Sequence, residues 1–209
     1  MLTIFDICSS VPIIPVLSIK NVDIAKPIAE CLVSNHLRVL EVTLRTENAV
    51  DVIKSMSSVT NALVGAGTVL NSDQLKRVID AGASFAVSPG ATDSLVHAAL
   101  DEKFPLLPGV SSASEIMRMS EYGFDVLKLF PAESVGGINL LKAFAGPFPT
   151  VSFCPTGGVG VENMQEYLAL KNVVCVGGTW LVPNELQTMS GLTKVADLAH
   201  AAFRQANQT

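Results

Sequence analysis

Charge is scarce in this sequence. Of 209 residues, 14 are Lys or Arg and 19 are Asp or Glu, a formal net charge of −5; charged residues are 16 % of the chain and hydrophobic ones 49 %. A chain this apolar does not read as a disordered tail. Its pI of about 5.1 gives no basic field for nucleic acid or anionic lipid, so neither is an expected partner. Long apolar runs are also missing. Mean hydropathy is +0.43, yet Pro, Ser, Lys and Asn break every run before the roughly 18–20 residues of a membrane span. Histidine is reduced to His36, His97 and His200, far apart. Four cysteines (Cys8, Cys31, Cys154, Cys175) contain no CxxC. That is not a zinc pattern, and no metal is expected. No GxGxxG follows the first apolar run, which removes the support for a dinucleotide cofactor. Residues 1–10 hold Asp6 and no basic flank, so they do not read as a secretory signal. Reduced, buried cysteines in a cytoplasmic protein are the expectation.

What is present is regular punctuation. Eight short apolar runs (12–17, 38–44, 62–66, 85–87, 105–107, 126–130, 150–153 and 173–176) alternate with stretches carrying Ala, Leu, Glu and Lys at helical spacing (22–34, 47–56, 72–81, 92–100, 113–120, 135–145 and 161–170). Asn21, Asn71, Thr92 and Ser112 stand where helix N-caps belong. Strict alternation predicts parallel strands with helical crossovers, and the near-continuous apolar strands suit burial on both faces. The predicted fold is α/β, a (β/α)8 TIM barrel in one domain spanning 1–209. An added N-terminal element covers 1–11 and a final helix covers 188–209. An open doubly wound sheet is the alternative. With so little charge for the surface, either much of the chain is doubly buried or some surface is hidden in an oligomer.

Barrel chemistry belongs at the C-terminal ends of strands. Two strands break their apolar pattern there. In 38–45, Leu40, Val42 and Leu44 share one face, and Glu41, Thr43 and Arg45 the other. In 125–133, Lys128 stands alone among apolar residues. If the aliphatic faces meet the helices, Glu41 and Lys128 both point inward. One reading is a buried ion pair that only fills the interior, although such pairs stabilise weakly. The other is a nucleophilic amine beside a proton-transfer carboxylate. Burial in apolar surroundings disfavours the charged form of an amine and so favours Schiff-base formation with a carbonyl.

Anion binding is the third signal. Pro155-Thr156-Gly157-Gly158 and Gly177-Gly178-Thr179 follow the seventh and eighth runs, where this fold habitually binds phosphate. Gly-Gly also simply makes turns. Gly65-Ala66-Gly67-Thr68 adds a polar rim. Other candidates have bland alternatives. Cys154 reads as a small buried residue, and Glu133 as a helix cap or an arginine partner. The histidines read as packing groups. Arg45 either pairs with Glu41 or Glu47 or receives a substrate carboxylate.

Taken together, Glu41-Val42-Thr43-Leu44-Arg45-Thr46, Val64-Gly65-Ala66-Gly67-Thr68-Val69-Leu70, Ser88-Pro89-Gly90, Pro108-Gly109-Val110, Lys128-Leu129-Phe130-Pro131-Ala132-Glu133 and Phe153-Cys154-Pro155-Thr156-Gly157-Gly158 resemble the 2-dehydro-3-deoxy-6-phosphogluconate (KDPG) aldolase / 4-hydroxy-2-oxoglutarate (KHG) aldolase family. The resemblance runs in order from Val11 to about Pro183. It implies a class I, metal-free and cofactor-free aldolase, a homotrimer, cleaving the phosphorylated 2-keto-3-deoxy acid to pyruvate and glyceraldehyde 3-phosphate in the Entner–Doudoroff route. It makes Lys128 the Schiff-base lysine and Glu41 the general acid/base. It assigns Arg45 and Thr68 to the pyruvate carboxylate end, Pro89 and Phe130 to the pocket wall, and Gly157, Gly158, Gly178 and Thr179 to the phosphate. Thr179 departs from the serine expected in many relatives. Glu162, near the phosphate loop, is expected to face solvent. The galactonate epimer of the substrate, or an isomerase or epimerase acting on another phosphosugar, are the alternatives.

Overall fold

The computed structural model describes residues 2–208. After α1 (Ile4–Ser9), strands and helices alternate: β1 (Ile13–Leu17), α2 (Ala25–Ser34), β2 (Val39–Thr43), α3 (Ala49–Ser57), β3 (Leu63–Gly67), α4 (Ser72–Asp80), β4 (Phe85–Val87) and α5 (Asp93–Asp101). The chain continues through β5 (Leu106–Leu107), β6 (Gly109–Val110), α6 (Ala113–Glu121), β7 (Val126–Leu129), α7 (Gly137–Phe144), β8 (Ser152–Pro155), α8 (Met164–Leu168), β9 (Val176–Gly178) and α9 (Leu192–Ala206). The four predicted caps are in place. The side chains of Asn21, Asn71, Thr92 and Ser112 accept the N–H of Asp23, Gln74, Leu95 and Glu115.

Every strand pairing is parallel. The expected continuous eight-stranded barrel needs correction. Hydrogen bonding forms a curled six-stranded sheet, β5-β4-β3-β2-β1-β9, and a three-stranded sheet, β6-β7-β8. Proline causes the first break. Pro108 has no N–H to donate, and the chain changes partner there: Leu107 accepts from Ser88 on one side, while Pro108 accepts from Lys128 on the other. Pro155 likewise ends β8. Beyond it a single parallel bridge, Thr156 to Gly177, faces β9.

The sheet separates two apolar clusters. Outward side chains such as Leu40, Val42, Leu127 and Leu129 pack with the helices. Helix α2 shows why, burying Ala25, Ile28, Ala29 and Leu32 along one stripe. Inward side chains (Val39, Phe85, Val87, Leu107, Val126) form the second cluster, which Ile7 and Cys8 of α1 join. Val39 and Val126 open their strands, so α1 covers the N-terminal end and the C-terminal end is left for chemistry.

Candidate active site

Glu41 enters the interior because its neighbours in β2 face the helices. It is 3 % exposed. Glycine makes the room: a Cβ on Gly67 would lie 2.2 Å from Glu41 Oε1, and one on Gly65 would lie 2.3 Å from the Phe85 ring. Thr43, on the same face, donates to the Leu17 carbonyl at 3.0 Å and pairs with the Ser18 hydroxyl at 2.7 Å. Lys128 of β7 lies between Gly109 and Cys154 of the adjoining strands. Its Nζ donates to Glu41 Oε1 at 3.2 Å, with both side chains almost wholly buried. The same Nζ is 5.2 Å from the centre of the Phe130 ring.

A cavity of about 310 Å³ opens over the lysine. Of the residues singled out from sequence, it brings together Arg45, Lys128, Phe130, Gly157, Gly158, Gly178 and Thr179. Glu41 meets it through Lys128. Thr68 and Pro89 do not line it. Thr68 follows Gly67 with φ +59°, unusual for a β-branched residue, and Pro89 packs its carbonyl against Gly109. Arg45 is exposed in the cavity wall, and among the described residues no carboxylate reaches it. Pairing with Glu41 or Glu47 is therefore not what holds it.

Val16, Ser134 and Val159, which no sequence signal marks, also line the cavity, together with Pro131, Thr156 and Gly177 of the quoted motifs. Thr156 was legible, since strand alternation puts it on the face of Cys154. Ser134 was not, because a short 3-10 turn at Glu133–Val135 sets its direction. Glu133 takes neither expected partner: its carboxylate accepts the hydroxyl of the fully buried Tyr167. Burial first, and then that carboxylate, push the Tyr167 phenol well above its ordinary range. Glu162 is exposed, as expected.

The remaining candidates are structural. Among the described residues no group of His, Cys, Asp and Glu could hold a metal. All four cysteines are free. Cys175 packs in one cluster with Cys154 and Cys8, and these neighbouring thiols together with burial hold its own thiol well above the usual range. His36 stacks on Phe203 and His97 meets the Tyr122 edge. Among the described residues no helix is long and apolar enough to cross a membrane.

Known proteins give this arrangement a context. The chain is 49 % identical over 196 residues to the KHG/KDPG aldolase of Escherichia coli (strain K12), covering 93 % of this chain and 92 % of that one. It is 46 % identical over 195 residues to the 2-dehydro-3-deoxy-phosphogluconate aldolase of Zymomonas mobilis, covering 93 % of each. A crystal structure of the KDPG aldolase from Legionella pneumophila, with pyruvate captured at low pH as a covalent carbinolamine intermediate, superposes with a TM-score of 0.92 at 43 % identity, over 96 % of this chain and 98 % of that one. The sequence profile "KDPG and KHG aldolase" matches residues 4–198, and the chain belongs to that family.

Proposed function

We propose that this chain is a class I aldolase that reversibly cleaves 2-dehydro-3-deoxy-6-phosphogluconate to pyruvate and glyceraldehyde 3-phosphate, and 4-hydroxy-2-oxoglutarate to pyruvate and glyoxylate. The observation that carries it is the buried Lys128 amine 3.2 Å from the Glu41 carboxylate, opening into a cavity lined by the Arg45 guanidinium, the Gly157-Gly158 loop and the glycine end of β9. Glu41 takes a proton from the Lys128 ammonium, and the freed amine attacks the C2 carbonyl of the keto acid. Glu41 protonates the resulting oxygen, and water leaves to give the iminium. Glu41 then removes the C4 hydroxyl proton. The C3–C4 bond breaks, its electron pair passes into the iminium, and the aldehyde departs. Protonation of the enamine at C3 and hydrolysis release pyruvate and the free amine. The iminium nitrogen is the electron sink throughout.

In this reading Arg45 takes the substrate carboxylate and Phe130 shapes the wall, while Thr68 and Pro89, outside the cavity lining, lose the roles expected of them. Gly157, Gly158, Gly178 and Thr179 bind phosphate through backbone N–H groups and a hydroxyl. We also read β5 and β6 as one strand interrupted at Pro108, which with the Thr156 to Gly177 bridge makes a closed eight-stranded barrel. The homotrimer is favoured by sparse surface charge and by exposed Phe5, Leu100 and Met117. A cytoplasmic location is favoured by the four free thiols.

Borohydride with pyruvate is expected to trap an adduct on Lys128, and Lys128→Ala to abolish both adduct and turnover. An unlabelled lysine with activity surviving the substitution would end the Schiff-base reading and leave proton transfer by Glu41 alone, as in an isomerase. Comparing kcat/KM on the gluconate and galactonate epimers settles the stereochemistry.

A further inference from the structure

The loop after β8 is held more firmly than a glycine turn requires. Gly157 and Gly158 have φ of +96° and +82°. The carbonyls of Thr156, Gly157 and Gly158 are all occupied. Ala132 N–H donates to Thr156 at 2.8 Å, Glu133 N–H to Gly157 at 3.0 Å, and Asn163 Nδ2 to Gly158 at 3.1 Å. Asn163 closes the far side by accepting Gly160 N–H at 2.9 Å. The N–H of Gly157 faces Gly177 across the bridge to β9, and the N–H groups of Gly158 and Val159 have no acceptor among the described residues. Consecutive free N–H groups in such a turn form a concave anion site.

Glu133 stands directly behind this turn. A Cβ on Gly158 would lie 2.4 Å from Glu133 Cγ, and one on Gly137 would lie 2.7 Å from the Tyr167 hydroxyl oxygen. A carboxylate this near a phosphate loop repels the ligand unless its charge is engaged and turned away. The Tyr167 hydroxyl engages it. Phenylalanine would fill the same buried space, so packing alone does not account for the hydroxyl.

We propose that Tyr167, Glu133 and Asn163 are positioning residues that hold the 157–159 loop in its anion-binding shape, and so set the preference for a phosphorylated over an unphosphorylated substrate. The kinetic part rests on the aldolase reading; the binding part needs only the loop.

The test compares wild type, Tyr167→Phe, Asn163→Ala and Glu133→Gln. Its readouts are kcat and KM on both substrates, and calorimetric Kd for inorganic phosphate. Freeing the Glu133 carboxylate in Tyr167→Phe, or removing the amide that holds the Gly158 carbonyl in Asn163→Ala, is expected to raise KM for the phosphorylated substrate about tenfold, with kcat and the unphosphorylated reaction changed by less than about twofold. Phosphate Kd rises about fivefold in the same variants, whereas Glu133→Gln, which keeps an acceptor for the tyrosine proton and removes the charge behind the loop, binds phosphate more tightly than wild type. Should Tyr167→Phe fail to fold, Asn163→Ala, on the other side of the loop, carries the test. Equal losses on both substrates, or unchanged phosphate affinity in the folded variants, overturn the proposal. A wild type that binds phosphate but cleaves neither substrate overturns the aldolase reading instead, and the phosphate measurement then decides this one.

Discussion

Glu41 and Lys128 face each other where neither has water to fall back on, and this makes them separable into chemistry and stability. Removing one partner strands a buried charge. Glu41→Leu is expected to cost about 3–5 kcal/mol in urea unfolding, whereas Glu41→Leu with Lys128→Met recovers most of that loss and remains inactive. A double variant as unstable as the single one would mean that the pair is a net stabiliser. Gly67 tests the geometry of the acid. The space its missing side chain leaves is taken by Glu41 Oε1, so Gly67→Ala must push the carboxylate away from Nζ. A displacement of that size is expected to lower kcat about 100-fold. Gly146→Ala, with nothing within 4 Å of the added carbon, should leave kcat unchanged. If both variants keep full turnover, the position of Glu41 does not matter to the reaction.

Elements followed their local signals closely until backbone chemistry intervened. The helix expected over 135–145 starts only at Gly137, because Gly136 and Gly137 have positive φ, +121° and +52°, after the turn at Glu133–Val135. The helix expected over 188–209 starts at Leu192, since Thr188 caps a separate 3-10 turn; Thr209 lies outside the described residues. Caps are worth about 1 kcal/mol each, so Asn71→Ala, which strips the cap of α4, is expected to lower unfolding free energy by that amount with catalysis intact. Helix α8 carries a pH signature through Tyr167. Its phenol is raised in the fold above the unfolded value of about 10. The folded state therefore holds the proton longer. This contribution is complete below about pH 10 and is lost as pH rises towards the folded value. Melting temperature between pH 9 and 11 should fall more steeply for wild type than for Tyr167→Phe; parallel curves would refute the link.

At the scale of the whole molecule the open question is assembly. A homotrimer should sediment as three chains at micromolar concentration, and a single-chain boundary would refute it. Phe5, Leu100 and Met117 then become the first positions to probe, by substitution with Glu and renewed sedimentation.

Strand and helix order, the capping residues and the inward pair were legible because each depends on short-range rules: period 2 in strands, period 3.6 in helices, and a hydroxyl or amide before a helix. The side of the sheet on which Glu41 and Lys128 lie followed from Leu40, Val42, Leu127 and Leu129 alone. Tertiary structure decided the rest. It broke the hydrogen-bonded ring at Pro108, where the chain exchanges β4 for β7 as partner. It set Arg45 in the cavity wall without a carboxylate. It joined Glu133 to Tyr167, 34 residues further on, across an interior that no local pattern spans. Periodicity tells a side chain which way to face; which distant side chain it meets depends on how the strands close around the core.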